Sequence, residues 1–409
     1  MTSMQPKPRP KKSFTSRRRG YLNRAVDVRL LFGKVSPTNP LTLPRWFRGL
    51  LVLAIIYLFL VGVSSLESGI KVMGADTQER LFSSVSNPIV GLFIGVVGTV
   101  LVRSSSASTS LIVGLVASGA LGLDQAVPMI MGANIGTTVT NTLVSLGHVR
   151  QSQEFRRALS AATVHDFFNL MAVTILLPFE LLTGRISWLA SRTAEILTGS
   201  GGSEWKSPIK AWVKHPVGWL KDGLKQASLE ETSLGVSMVV IGIIVVVVSL
   251  IAVTKNMKAL IAERLEASMN RVLGRGGGLV AMVIGMLVTI SVQSSSITTS
   301  ILIPMAAAGV ISLRNIYPVT LGANVGTTIT ALLAALAASG SDALTIALVH
   351  TWFNVLGIVV LYGIPFLRPL PIRCAELLAE LAVKRRSLAV GWVVSVFVII
   401  PLLVIAIFR

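Results

Sequence analysis

The chain has 409 residues, of which 52% are hydrophobic and 13% charged, about half the charged share of a soluble globular domain. With a mean hydropathy of +0.74, this excludes an ordinary water-soluble enzyme and leaves an integral membrane protein. The formal charge of +19 is lopsided, because the first 48 residues carry 12 Lys and Arg against one acid, Asp27.

That segment, 1–48, lacks a core-forming pattern and is expected to be a disordered cytoplasmic tail, obeying the positive-inside rule and drawn to anionic lipid. An Arg- and Ser-rich start also suits an organellar transit peptide, and nucleic acid is not an expected partner. The first apolar run begins at Leu50, too far in for a secretory signal peptide. The lone Cys374 excludes an internal disulfide and a cysteine metal site, and no glycosylation sequon is present.

A span needs about 20 mostly apolar residues. Segment 49–86 holds the first span, at 50–65, and a loop. Segment 87–183 is a long apolar region interrupted by Gly, Ser, Thr and Asn, residues costly in hydrocarbon unless they line a cavity or pack on protein. A polar, Trp-containing stretch, 184–232, is expected on the extracytoplasmic side. Segment 233–276 gives a linking span, 233–254, and a loop with five cations (Lys255, Lys258, Arg264, Arg271, Arg275) that suits the cytoplasm. A second interrupted region, 277–366, precedes 367–409, an amphipathic surface segment and the last span.

The two interrupted regions are copies. Residues 102–140 align without a gap onto 292–330, with 17 identities in 39 positions that fall mainly on Ser, Asn, Thr and Gly. The offset then shifts, and TVHDFFN at 163–169 meets LVHTWFN at 348–354. With a cytoplasmic N-terminus, the first copy starts outside and the second inside, so the copies are read as inverted repeats. The expected fold is an all-α polytopic membrane protein: two inverted-topology repeats with re-entrant hairpins and interrupted helices, the architecture of secondary transporters.

Each copy offers two polar clusters. Arg103-Ser104-Ser105-Ser106 and Gln293-Ser294-Ser295-Ser296 follow apolar runs, and a Ser run there supplies hydroxyls and freed N–H groups able to bind an oxyanion. Gly132-Ala-Asn134-Ile-Gly136-Thr137-Thr138 and Gly322-Ala-Asn324-Val-Gly326-Thr327-Thr328, extended by Thr140 and Thr330, read as glycines that unwind a helix beside neutral oxygen ligands for a monovalent cation. The competing reading is close helix packing through small residues. A charge at mid-membrane costs roughly 2.5–3.5 kcal/mol even on a lenient scale, which singles out Arg103, His165, Asp166 and His350. Arg103 could pair with an anion or with Asp166. Asp166, which meets Thr351 in the second copy, could hold an extra cation. The histidines read as helix-packing hydrogen-bond donors.

At these residues the sequence resembles the type II sodium-dependent phosphate cotransporter family, whose QSSS hallmark stands intact at 293–296, while Arg103 replaces Gln in the first copy. The resemblance runs from about residue 51 to about 371 and includes SSLES, SNPIVGLFIGVV, LLPFE and GVISL. It implies sodium-coupled uptake of inorganic phosphate across the cell membrane, Na+ as the coupling ion with no organic cofactor, and a phosphate site of Arg103, Ser104, Ser105, Ser106, Ser294, Ser295 and Ser296. It places sodium ligands on the second QSSS, from Gln293, and on Thr327 and Thr330; the cation reading adds Asn134, Thr137, Thr138, Asn324, Thr328 and Asp166. Electrogenic members carry the Asp preceded by two Ala; Asp166 and Ala162 fit, Ser160 does not, and electrogenic transport is expected. The absence of cysteines and sequons from 184–232 suggests a bacterial-type member. The alternatives are transport of another oxyanion (sulfate, arsenate, a carboxylate) and an intramembrane hydrolase using Ser104–106 with His165 and Asp166. The second is disfavoured because neighbouring helix positions face about 100° apart and neither Ser run lies in a Gly-x-Ser-x-Gly setting.

Overall fold

The computed structural model describes residues 44–74, 77, 87–199, 208–227, 230–274 and 277–408. The expectations for the basic tail fall on 1–43, outside the described residues. Among the described residues all regular structure is helical. Six helices are long and apolar enough to cross a membrane: Trp46–Val72, Ser152–Thr183, Glu231–Met257, Leu313–Ala337, Ser341–Gly363 and Ser387–Phe408. Three contain the expected spans at 50–65, 233–254 and 388–408, and three lie inside or at the edge of the interrupted regions.

In chain order, α1 is Arg45–Val72, and α2, Pro88–Val102, starts with Asn87 capping the Ile89 N–H at 2.9 Å and Pro88 in the first turn. Next come α3, Ser105–Ser118, α4, Leu123–Thr137, α5, Val139–Ser145, and α6, Ser152–Thr183. Two amphipathic helices follow, α7, Arg185–Thr198, and α8, Pro208–Lys225, within the segment expected to be a polar loop. Glu180 fixes the corner into α7, accepting from the Ile186 and Ser187 N–H groups at 2.7 and 3.1 Å.

Helix α9, Glu231–Gly274, corrects an expectation. The cationic stretch after 254 is not a loop but a direct extension of the span, as its Ala, Leu, Glu, Met and Lys content favours; the side chains of Lys258, Arg264 and Arg271, and residue Arg275, lie outside the described set. The second copy begins with α10, Gly278–Val292, α11, Ser295–Ala307, and α12, Leu313–Ala337. It continues with α13, Ser341–Ile358, extended by a wider turn to Gly363. Surface helix α14, Leu370–Lys384, leads into α15, Ser387–Val394, which passes through a wider turn, Ser395–Ile399, into α16, Ile400–Phe408.

The glycines of the second polar cluster do not unwind their helices. A Cβ on Gly132 would fall 1.9 Å from the Leu92 carbonyl oxygen, and one on Gly322 would fall 1.8 Å from that of Met282. They let α4 lie directly on α2, and α12 on α10, so the packing reading prevails over the unwinding one. In the second copy the helix is continuous through the whole cluster. In the first it breaks at Thr138, between α4 and α5.

Candidate functional site

Both Ser clusters form the same turn. Helix α2 ends with the Arg103 N–H on the Thr99 carbonyl at 2.7 Å, and α10 ends with Gln293 on Thr289 at 2.7 Å. Arg103 and Gln293 then take the left-handed conformation, φ 56° and 57°, and among the described residues they are the only non-glycine residues with positive φ. Holding a Cβ-bearing residue there costs about 1 kcal/mol or more, a strain that clusters at functional sites. The next residues, Ser104 and Ser294, are extended at φ −150° and −155°, and their hydroxyls accept from the Ala107 and Ile297 N–H groups. Helices α3 and α11 therefore start at Ser105 and Ser295, and their first N–H groups have no acceptor inside the helix.

The two turns meet. The Ser106 hydroxyl donates to the Gln293 carbonyl at 3.4 Å, across 187 positions of sequence. Ser105, Ser106 and Ser295 are buried, Ser104, Ser294 and Ser296 half-buried. Two helix N-termini with their serines thus converge, an arrangement whose dipoles and donors favour an anion. Arg103 is exposed at the rim and has no ion-pair partner among the described residues. Its alternative role as partner of Asp166 is not realised.

Gln293 is held differently. Its amide donates to the Ile290 carbonyl at 2.7 Å, and its oxygen accepts from the Thr330 hydroxyl at 2.8 Å. Thr137 and Thr327 donate to the carbonyls of Ala133 and Ala323, and Thr138 and Thr328 to those of Ile135 and Val325, at 2.8–3.0 Å. A hydroxyl whose proton is spent in this way presents only lone pairs, which is what a cation ligand must offer.

Asn134 and Asn324 belong to a different assembly. The Asn324 side-chain oxygen accepts from His165 Nε2 at 2.6 Å, while its amide donates to Asn169 Oδ1 at 2.8 Å. Conversely, Asn134 Oδ1 accepts from His350 Nε2 and from Asn354 Nδ2, both at 3.3 Å, and Asn169 donates to the Asn134 backbone carbonyl at 2.7 Å. Each copy's Asn is bound by the other copy's His. All six groups are buried, so this network ties the copies together at the centre.

Asp166, one position after His165 on α6, points into a separate buried pocket of hydroxyls. Its Oδ2 accepts from the Thr142 hydroxyl at 3.1 Å and from the Trp392 indole N–H at 2.9 Å, with the Thr138 hydroxyl close by. Its Oδ1 is buried and has no partner among the described residues. Neither His165 nor Asp166 bonds to a Ser of the turns, so the Ser-His-Asp relay that a hydrolase requires is not assembled.

Sequence reasoning missed Asn169, Asn354, Asn141 and Trp392. Both of the first two stood in the aligned FFN and WFN segments, and a buried amide in an apolar helix was signal enough. Asn141 donates to Thr299 at 2.7 Å and accepts from Ser300 at 3.0 Å, which docks α5 on α11. Trp392 lies in the last helix, where nothing in the local sequence distinguishes it from an interfacial aromatic.

The Na+/Pi-cotransporter family model matches residues 58–199 and 245–365. Among curated relatives, the chain is 32% identical to sodium-dependent phosphate transport protein 2B of Homo sapiens, over 87% of this chain and 64% of that protein. It is 33% identical to sodium-dependent phosphate transport protein 2A of Rattus norvegicus, over 87% of this chain and 67% of that protein. The chain thus spans about two thirds or slightly less of the length of the curated relatives it matches. No solved structure matches it. By the family match and its apolar helices, this multi-pass membrane protein belongs to the Na+/Pi-cotransporter family, a family of transporters and not of enzymes.

Proposed function

We propose that the chain is a symporter that couples sodium entry to import of inorganic phosphate, with phosphate held between the two Ser turns. The carrying observation is their convergence: two strained left-handed residues of equal geometry start two helices whose N-termini meet through Ser106 and Gln293. The relatives' names, sodium-dependent phosphate transport proteins, support the choice of the two ions. Four helices support the re-entrant reading. Helices α2, α3, α10 and α11 have 13–15 residues, about 20 Å at 1.5 Å per residue, against a hydrocarbon core of about 30 Å. In this reading α2–α3 and α10–α11 enter from opposite sides as inverted repeats, and alternating access moves one group of helices past the meeting point.

Gln293, Thr327, Thr328 and Thr330 then form a sodium site beside the second turn, while Asp166 with Thr138 and Thr142 forms an additional cation site in the first copy. Asn134, whose side-chain oxygen already accepts two hydrogen bonds, and Asn324, whose oxygen accepts one from His165, serve as ties between copies. A cation bound to Asp166 makes transport electrogenic, since each net charge moved through 100 mV adds about 2.3 kcal/mol of drive.

The test is sodium-dependent uptake of ³²P-phosphate into proteoliposomes holding the full chain. Uptake is expected with an inward sodium gradient, and Ser295→Ala is expected to remove most of it. Absence of sodium-dependent uptake in correctly folded protein overturns the reading. Arg103, which has no ion-pair partner among the described residues, favours a second oxyanion as an alternative cargo, and sulfate and arsenate competition against phosphate distinguishes them.

A further inference from the structure

We propose that Trp392, on the last helix and outside both copies, is a positioning residue for the cation at Asp166: its indole N–H occupies Oδ2 so that Oδ1 is presented to the ion. The proposal rests on the reading of Asp166 as a cation ligand and adds the element that aims it. A carboxylate offers about four lone-pair positions on two oxygens. Here Oδ2 receives both donors, Thr142 at 3.1 Å and Trp392 at 2.9 Å, and Oδ1 receives none although it is buried. Burying a carboxylate oxygen without a partner is strongly unfavourable, so the uneven loading of one oxygen leaves the other as the place for an ion. The neighbouring hydroxyls of Thr138 and Thr142 are hard, neutral oxygens, the ligand chemistry of an alkali cation.

The indole is itself held. Its ring lies 4.8 Å from that of Phe167, tilted by 36°, so the residue after Asp166 orients the group that orients Asp166. Thr142 reaches the same oxygen from α5, the short helix that exists only because the first copy breaks at Thr138. At the equivalent place in the second copy, Thr351 bonds back to its own helix, on the Ala347 carbonyl at 3.3 Å. The last helix thus couples to the cation site of one copy alone.

The experiment compares wild type, Trp392→Phe, Asp166→Gly and the double variant, as full chains in proteoliposomes. The sodium activation curve at saturating phosphate, the phosphate curve at saturating sodium, and the charge moved per phosphate are measured for each. Trp392→Phe keeps the ring and removes the N–H. It is expected to raise the sodium concentration for half-maximal transport roughly tenfold, the loss of one hydrogen bond to a charged group, with the phosphate curve unmoved and the charge per phosphate intact. In the Asp166→Gly background the same change is expected to have no effect on the sodium curve. An unchanged sodium curve for Trp392→Phe, equal shifts of both curves, or a shift that persists without Asp166 overturns the proposal. The underlying reading fails separately, when Asp166→Gly leaves the charge per phosphate at the wild-type value. Should Trp392→Phe not yield folded protein, Phe167→Leu loosens the ring and keeps the donor. A smaller shift confined to the sodium curve supports the proposal, and no shift overturns it.

Discussion

The two copies agree closely in backbone at the Ser turns and differ in what surrounds them. Arg103 and Gln293 match within a few degrees in φ and ψ, and the His–Asn ties cross between copies in both directions. Yet the Gln293 side chain is held by Thr330, whereas Arg103 is exposed and has no ion-pair partner among the described residues. In the second copy Thr289 and Thr298 bond each other at 2.9 Å; their equivalents, Thr99 and Ser108, leave both buried hydroxyls without a partner among the described residues. The first copy breaks at Thr138 and carries Asp166, while the second is continuous through its cluster and carries Thr351. The copies therefore agree in the parts that start helices and tie them together, and differ in which of them carries a charged side chain at these positions.

The symmetric part breaks hardest at the glycine contacts. Gly132→Ala and Gly322→Ala each force a methyl to within 2 Å of a backbone oxygen, and each is expected to cost about 3 kcal/mol or more, the upper end of overpacking effects. Thermal unfolding in detergent should show similar losses for both; a loss for one alone would show that the copies do not share this crossing. Next in size is the asymmetric carboxylate. Asp166→Gly is expected to remove one charge per phosphate transported, read as current against tracer flux. Thr351→Asp is expected not to add one, because the second copy is continuous where the first breaks, and the indole N–H of the adjacent Trp352 is spent on the Thr193 hydroxyl at 3.0 Å. An added charge there would mean that the carboxylate alone makes the site.

A smaller effect is expected from Asn169→Leu. It removes the donor to the Asn134 carbonyl and the acceptor for the Asn324 amide, leaving buried groups unpaired at about 1–3 kcal/mol. The expected result is a lower unfolding midpoint with sodium and phosphate curves preserved in the folded fraction. A selective change in the sodium curve would instead place Asn134 or Asn324 among the ligands.

These contrasts also mark how far the sequence could be read. The duplication, the Ser turns and the isolated Asp166 were legible because polar residues repeated at a fixed offset in an apolar background have few explanations. The GAN clusters misled. Gly is required both where a helix unwinds and where two helices touch, and only the position of the Leu92 and Met282 carbonyls decides between them. Trp392 was illegible for another reason: its partner lies 226 positions away, and no local pattern encodes a contact between a terminal helix and the middle of the chain. The helical extension of α9 past 254 was missed because charge was read as loop, although Lys and Glu sustain a helix once it leaves the membrane.

The smallest expected effect falls on the residue that departs most visibly from its copy. Arg103→Gln makes the first turn match the second in sequence. The backbone already matches, so the turn should survive, and unfolding should be unaffected because the guanidinium bonds to nothing described. What is lost is one cation at the rim of the proposed anion site, solvent-exposed and therefore screened. The phosphate concentration for half-maximal uptake is expected to rise about threefold, the scale of an exposed charge interaction, and more at low ionic strength than at high. The reverse change, Gln293→Arg, is not its equal, because it removes the acceptor that holds Thr330 and should move the sodium curve instead. If the two substitutions shift the same curve by the same amount, the copies are equivalent in function as well as in backbone, and the division of labour between them is wrong.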